Sequence, residues 1–192
     1  MQKIIVIGCP GSGKTTFSLR LAEKLGIALF HLDAIWHTAD RGHISREDFD
    51  EKLGAILEKR AFIIDGNYSR TLERRIAAAD TVFFFDLPTE ICLEGATARL
   101  GQARVDMPFI DETLDPAFRN EIERFRGEVL PTVYALLEKY AEGKRIVIFK
   151  SREEADAFLQ QLESLRKDQG RVPNRFNAPP WRIASEKYRN SP

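Results

Sequence analysis

Residues 8–15 read Gly-Cys-Pro-Gly-Ser-Gly-Lys-Thr, a complete G-x-x-x-x-G-K-[ST] phosphate loop. In such a loop the glycines turn backbone N–H groups onto the β- and γ-phosphates of a nucleoside triphosphate. The lysine adds a mobile cation there, and the Ser/Thr hydroxyl ligates Mg²⁺. Gly8, Pro10, Gly11, Ser12, Gly13, Lys14, Thr15 and Thr16 are therefore the expected nucleotide-binding residues, with ATP and Mg²⁺ as cofactors. Mg²⁺ also needs a carboxylate on a neighbouring strand end. Asp65 and Asp86 both follow hydrophobic runs, and we favour Asp65 beside Thr15. After it, Gly66-Asn67-Tyr68 leaves an open backbone and Arg70 brings a cation. Asp86 runs into Leu87-Pro88 and reads better as a helix N-cap or a hydrogen-bond acceptor behind the site.

The chain lacks the Asn/Thr-Lys-x-Asp segment of guanine-specific switches, and neither Asp65 nor Asp86 is followed by the glutamate of a motor ATPase. Kinase chemistry remains. Phosphoryl transfer spreads negative charge over equatorial oxygens, so it calls for cations that close around the triphosphate while water is excluded. Arg99 and Arg104, flanking the start of a weakly periodic, charge-mixed segment near residues 100–116, fit that role together with Lys14. Arg119, Arg124 and Arg126 read as a solvated helix face. On the acceptor side two chemistries stay open. Asp33 at a strand end can orient or deprotonate a hydroxyl, whereas Arg70 can clamp an acceptor phosphate. Trp36, Asn67 and Tyr68 are the remaining acceptor-binding candidates.

These residues need a scaffold, and the pattern predicts one. Strand and helix signals alternate throughout, the mark of an α/β layer fold around a mostly parallel sheet. Lys3–Ile7 is a buried strand feeding the loop, and Phe17, Leu21 and Leu25 give the following helix an apolar face that stops at Gly26. Ile27 to Leu32 reads as a second strand ending at Asp33, followed by a loop carrying Trp36 and His37. Ser45 and Asp48 open a helix with Phe49, Leu53, Ile56 and Leu57 on one face. Ala61–Ile64, Thr81–Phe85 and Lys144–Phe149 are the remaining strands. Pro88 starts a helix reaching about Leu100, Asp115-Pro116 starts a long one interrupted at Pro131, and Ser151 with Glu154 caps the last, which ends near Leu165.

At 192 residues and 43% hydrophobic content the chain supports one well-buried domain, expected over residues 1–165, with an acceptor-binding region near 34–60 and a lid near 100–116. No apolar run is long enough to span a membrane and no leader precedes the first strand, so a cytoplasmic location is expected. Cys9 and Cys92 offer neither metal spacing nor a disulfide framework, and His31, His37 and His43 lack the partners of a zinc site. Net charge is zero but uneven. Residues 166–192 hold seven Lys/Arg against two Asp/Glu, leaving 22 against 27 before them, so the body lacks a duplex-DNA binder's basic excess. The basic, proline-broken extension, with Phe176, Trp181 and Tyr188, reads as a loose C-terminal segment. Nucleic-acid contact or exchange of an arm in a dimer are its alternatives, and monomer and dimer both stay open.

With these residues identified, the chain resembles the adenylate-kinase-related family of DNA topology modulation proteins, over about residues 1–160. The resemblance rests on the phosphate loop, His31-Leu32-Asp33, Phe62-Ile63-Ile64-Asp65-Gly66-Asn67-Tyr68, Ala79-Asp80-Thr81, Phe85-Asp86-Leu87-Pro88 and Arg104-Val105-Asp106-Met107. That family is similar to nucleoside monophosphate kinases, whose Asp-Gly-Phe-Pro-Arg segment corresponds to Asp65 through Arg70 with one residue inserted. The resemblance implies a P-loop α/β/α sandwich with a five-stranded parallel sheet of order 2-3-1-4-5, ATP- and Mg²⁺-dependent phosphoryl transfer to a small-molecule acceptor, and a mobile lid. Asp33 is also similar in placement to the acceptor aspartate of shikimate- and gluconate-type kinases, which phosphorylate hydroxyls. The other alternative is an ATP-binding regulatory or nucleic-acid-associated protein with little turnover. Against the family pattern, Gly95 stands where related kinases carry an arginine that lies on the adenine, Val105 replaces a proline, and Phe109-Ile110-Asp111-Glu112 replaces a cysteine-containing lid turn.

Overall fold

A computed structural model describes residues 1–169; the basic extension beyond, with Phe176, Trp181 and Tyr188, lies outside the described residues. Five parallel strands, β1 (Lys3–Gly8), β2 (Leu29–His31), β3 (Phe62–Asp65), β4 (Thr81–Phe85) and β5 (Arg145–Phe149), form one sheet in the order β2-β3-β1-β4-β5. This is the expected P-loop α/β/α topology. The central strand is apolar nearly throughout because helices cover both of its faces. On one face Ile4, Val6, Ile63, Phe83 and Phe85 pack with Phe17 and Leu21 of α1 (Lys14–Leu25) and with Phe158 and Leu159 of α8 (Arg152–Gln169). Phe17 sits at the middle of that layer, edge-on to Phe83, Phe85 and Phe149 at 5.0–5.4 Å. On the other face Ile5, Ile7, Ile64, Val82 and Phe84 meet Phe49 and Leu53 of α3 (Arg46–Leu57), Leu72 and Ile76 of α4 (Ser69–Ala78) and Val133 of α7 (Leu130–Lys139).

Several elements differ from the sequence reading. The second strand is short, ending at His31, and Asp33 lies two residues beyond it in the first turn of a five-residue helix, α2 (Leu32–Trp36), closed by the His37 N–H on the Asp33 carbonyl at 2.9 Å. Leu32, fully buried, draws the chain inward and helical there instead of leaving it extended. Helix α4 is absent from the sequence reading, although Leu72 and Ile76 carry helical spacing. The long helix after Asp115 is interrupted as expected, into α6 (Pro116–Glu128) and α7, but the break falls at Val129, so that Pro131 sits in the first turn of α7, where a missing N–H is harmless. α5 (Thr89–Thr97) stops short of Leu100. Residues 101–115 form the expected irregular segment, pinched at its base by the Gly101 N–H on the Asp111 carbonyl at 2.8 Å.

Candidate active site

Parallel pairing aligns the strand ends that matter: Val6 is in register with Asp65, and Asp65 with His31. The phosphate loop leaves β1 at the same edge and enters α1 through Gly13, in the left-handed region at φ 103°. No side chain caps α1 and no acidic residue occupies its first turn, so its N–H groups stay available to an anion. A cleft of about 1520 Å³ opens there, lined by Pro10, Gly11, Gly13, Lys14, Thr15 and Thr16. Gly8 and Ser12 lie beneath the loop rather than on its wall. Lys14 is folded back, its ammonium donating to the Cys9 carbonyl at 2.7 Å. Cys9 and Cys92 are buried free thiols under the loop.

Asp65 reaches the place expected of it. Its Oδ2 accepts from the Thr15 hydroxyl at 2.8 Å and faces His31 Nδ1 at 3.2 Å, while its Oδ1 is buried with no hydrogen-bond partner. A carboxylate with an orphaned oxygen beside a P-loop threonine suits a divalent cation, which supplies the missing partner. Asp86 is elsewhere. Pro88, not Asp86, holds the N-cap position of α5, and Asp86 accepts from Tyr134 at 2.6 Å, Arg126 at 3.0 Å and Lys150, bordering a separate shallow depression. Burial would push that carboxyl up, but Lys150 and Tyr134 hold it below the usual carboxylate range.

The acceptor candidates divide. Asp33, Trp36, Asn67 and Tyr68 line the cleft. The Tyr68 hydroxyl donates to Asp33 Oδ1 at 2.9 Å, and Trp36 is wedged between His43, stacked at 4.5 Å, and the edge of Phe49. Burial pushes the Asp33 carboxyl up, Tyr68 opposes this, and the Asp65 and Asp106 charges add to it. Arg70 is not in the cleft. It forms a two-pronged pair with Asp50 of α3, both bonds 2.7 Å and both partners exposed. The inward-facing arginine of α4 is Arg75, fully buried, donating to Gly66 O at 2.9 Å and Tyr68 O at 2.7 Å, with its pKa driven down to about 10 by burial. It holds the backbone that follows Asp65, including the cleft-lining Gly66 and Tyr68, and does not itself line the cleft.

On the lid side Arg99 and Arg104 both face the cleft. Arg99 lies over the Phe118 ring at 5.3 Å and has no carboxylate partner among the described residues. Arg104 grips Asp106 through two bonds of 3.0 and 2.5 Å. Arg119 and Arg124 form exposed pairs with Glu123 and Glu128, as a solvated helix face should, whereas Arg126 turns to Asp86. Four site residues escaped the sequence reading: Asp106, Glu121, Arg41 and Arg152. Arg41, at φ 64°, ties the turn after α2 to the lid through Ile110 O and Asp111 and lies over Phe109 at 4.6 Å. Arg152 crosses to the loop carbonyls of Gly11 at 2.9 Å and Ser12 at 3.4 Å. Gly95 makes room for it: a Cβ there would stand 2.1 Å from Gly11 O and 2.3 Å from Arg152 Nη2.

No family model matches the chain. The adenylate kinases of Mycobacterium tuberculosis and Mycobacterium bovis are each 28% identical to it over 176 residues, covering 76% of this chain and 90% of theirs. Among solved structures, shikimate kinase from Acinetobacter baumannii in complex with shikimate superposes with a TM-score of 0.53 at 17% identity, covering 90% of this chain and 96% of that one. A gluconokinase from Sinorhizobium meliloti gives 0.48 at 19% identity over 88% and 97%. Sheet order, phosphate loop and the likeness to adenylate kinases define the class: the chain has the fold and the donor loop of a P-loop kinase. Among the described residues no helix is long and apolar enough to cross a membrane.

Proposed function

We propose that the chain transfers the γ-phosphoryl group of ATP to a hydroxyl of a small acceptor that carries no phosphate. The observation that carries this is the division of the two acceptor candidates: Asp33 is in the cleft within reach of Tyr68, while Arg70 is outside it and neutralised by Asp50. A hydroxyl nucleophile needs a carboxylate to orient it and take its proton; a phosphate acceptor needs cations. The acceptor end offers Asp33 and Glu121, both with burial-raised carboxyls, and Arg41, already spent on the lid.

In this reading the loop N–H groups and Lys14 hold the β- and γ-phosphates, Lys14 leaving the Cys9 carbonyl to do so. Thr15 and Asp65 would hold Mg²⁺, which neutralises charge on the phosphate oxygens when bound. Asp33 orients the acceptor hydroxyl and accepts its proton as the new P–O bond forms and the γ-phosphorus separates from the β–γ bridging oxygen. Arg99 and Arg104 meet the charge spread over the moving phosphoryl group, and the lid keeps water from competing. A nucleoside monophosphate acceptor is the second reading, supported by the 28% likeness to adenylate kinases; it requires Arg70 to leave Asp50 and turn inward.

The test is ADP release from ATP·Mg²⁺ across polyols, sugar acids, nucleosides and nucleoside monophosphates, with the wild-type chain and D33N. A hydroxylated compound should stimulate turnover, and D33N should lose about 10²- to 10⁴-fold with it. Stimulation by monophosphates alone, with D33N active and R70A inactive, would overturn the reading.

A further inference from the structure

Two carboxylates from opposite sides of the cleft converge on one hydroxyl. Thr15 Oγ1 lies 2.8 Å from Asp65 Oδ2 and 3.1 Å from Asp106 Oδ2. The hydroxyl has one proton, so it can donate to only one of them; the other contact sets an oxygen lone pair against a carboxylate. Asp106 is 3% exposed and Asp65 4%, so water does not dilute that repulsion. The spacing is one that a hydrogen bond and a shared ion both allow. Oxygens on adjacent corners of an octahedron about 2.1 Å from a central ion stand about 3.0 Å apart, and both contacts to Thr15 match such an edge. Arg104 takes Asp106 through Oδ1 and Oδ2 and so fixes the plane of a carboxylate that would otherwise swing away from the loop. The lid that carries Asp106 is pinned from the far side by Arg41 on Ile110 and Asp111.

We infer that Asp106 is a lid-borne ligand of the same divalent cation that Thr15 and Asp65 hold, so that the metal joins the lid to the phosphate loop. This rests on the ATP·Mg²⁺ reading above. The cation would take the place of the missing proton, satisfy the orphaned Asp65 oxygen, and leave its remaining positions to water and phosphate, the usual division for Mg²⁺. Holding the lid by metal also explains why it is folded onto the loop by a carboxylate, a group that would repel bare phosphates.

The experiment uses Mn²⁺ as probe and the full chain. Free Mn²⁺ is followed by electron paramagnetic resonance in titrations without nucleotide and with a non-hydrolysable ATP analogue, for wild type, D106N, D106E and D65N. Circular dichroism and thermal melts report the fold, and D106S replaces D106N if the latter does not fold. Asp106 as ligand predicts Mn²⁺ affinity lower by about 10- to 100-fold in D106N, partly restored in D106E. Affinity in D106N within twofold of wild type, with D65N defective, would overturn the lid ligand and leave the Thr15–Asp65 site standing. No Mn²⁺ binding by the wild type in either titration would overturn the metal reading of the site together with it.

Discussion

Substituting Gly95 by alanine tests how the donor side is built. Gly95 lies inside α5, where alanine normally stabilises a helix by about 1 kcal/mol over glycine. Here the added Cβ would stand 2.1 Å from the Gly11 carbonyl oxygen and 2.3 Å from Arg152 Nη2, closer than real Cβ contacts come. Arg152 can swing aside, because it is the end of a flexible side chain. Gly11 has no slack toward α5, since the same helix already stands where a Gly11 Cβ would go, with Cys92 O at 2.0 Å and Ala96 N at 2.8 Å of that point. Relief therefore requires the phosphate loop and α5 to part by about 1 Å. Overpacking of that size costs about 1–3 kcal/mol, so the helix gain is offset or exceeded and Tm should stay level or fall by a few degrees. The functional effect should be larger, because a misplacement near 1 Å can cost about 100-fold where several donors must meet one phosphate. Gly127 in α6 has open space around it, with nothing within 4 Å of where a Cβ would stand, and serves as control: G127A should raise stability by about 0.4–1 kcal/mol and leave nucleotide binding alone. Differential scanning fluorimetry and fluorescent-ATP titration read both. A G95A chain that melts about 2–4 °C higher than wild type and binds ATP equally well would refute the close-packing argument.

Replacing Lys14 by alanine should reduce phosphoryl transfer by about 10²- to 10³-fold while circular dichroism stays native, since the one hydrogen bond of its ammonium among the described residues is to the Cys9 carbonyl; unchanged turnover would remove the proposed donor site. Asp33, with its carboxyl raised by burial, should place the acid limb of kcat/KM above the ordinary carboxylate range, and D33N should abolish that limb. The same shift has a stability consequence: the folded chain holds the Asp33 proton more tightly than the unfolded one, so its contribution to folding is favourable below the unfolded pKa and lost as pH rises through the folded one. D33N should accordingly gain in Tm over wild type near pH 8 and lose that gain toward pH 4, as thermal melts across that range would show. R70A should keep wild-type kcat/KM and change stability by less than about 1 kcal/mol, because it removes only an exposed pair with Asp50; a severalfold rise in acceptor KM would return Arg70 to the site.

What could be read without coordinates follows from where each constraint is written. The phosphate loop, the capping Ser45 and the carboxylate ending β3 are local, for their chemistry dictates residue type and spacing along a single stretch of chain. Arg70 and Arg75 show where that ends. Both belong to α4, and only the helix phase separates an arginine paired at the surface from one buried against Gly66 and Tyr68. Once Leu72 and Ile76 are taken as the inward stripe, Arg75 falls on it and Arg70 off it, so the signal was present but needed the helix to be recognised first. Arg41 and Arg152 carry no comparable local mark, and Asp106, though it stands in the Arg104-Val105-Asp106-Met107 motif, carries none that tells its role. Each acquires its meaning from a partner between 69 and 141 positions away in the chain, brought near by lid closure or by the gap at Gly95.

The charge of the cleft links these long-range contacts to function. Asp33, Asp65, Asp106 and Glu121 face it against Lys14, Arg99 and Arg104; Arg104 is held by Asp106, while Arg20, Arg41 and Arg152 at its wall are engaged by Asp156, the lid and the loop carbonyls. A site so rich in carboxylate would repel a bare triphosphate, and it gains little from cations already paired. In the proposed reading a divalent ion at Thr15 would change that balance locally: Asp65 and Asp106 would become ligands instead of repulsive neighbours, and Asp106, with a further partner besides Thr15 and Arg104, would let Arg104 turn toward the phosphates. Asp33 and Glu121 then remain as the acidic end of the cleft, suited to orient a hydroxyl and poorly suited to receive a second phosphate. In the proposed reading, the same set of carboxylates would make donor binding depend on metal and bias the choice of acceptor, two properties that a count of arginines around a lid would assign to the arginines.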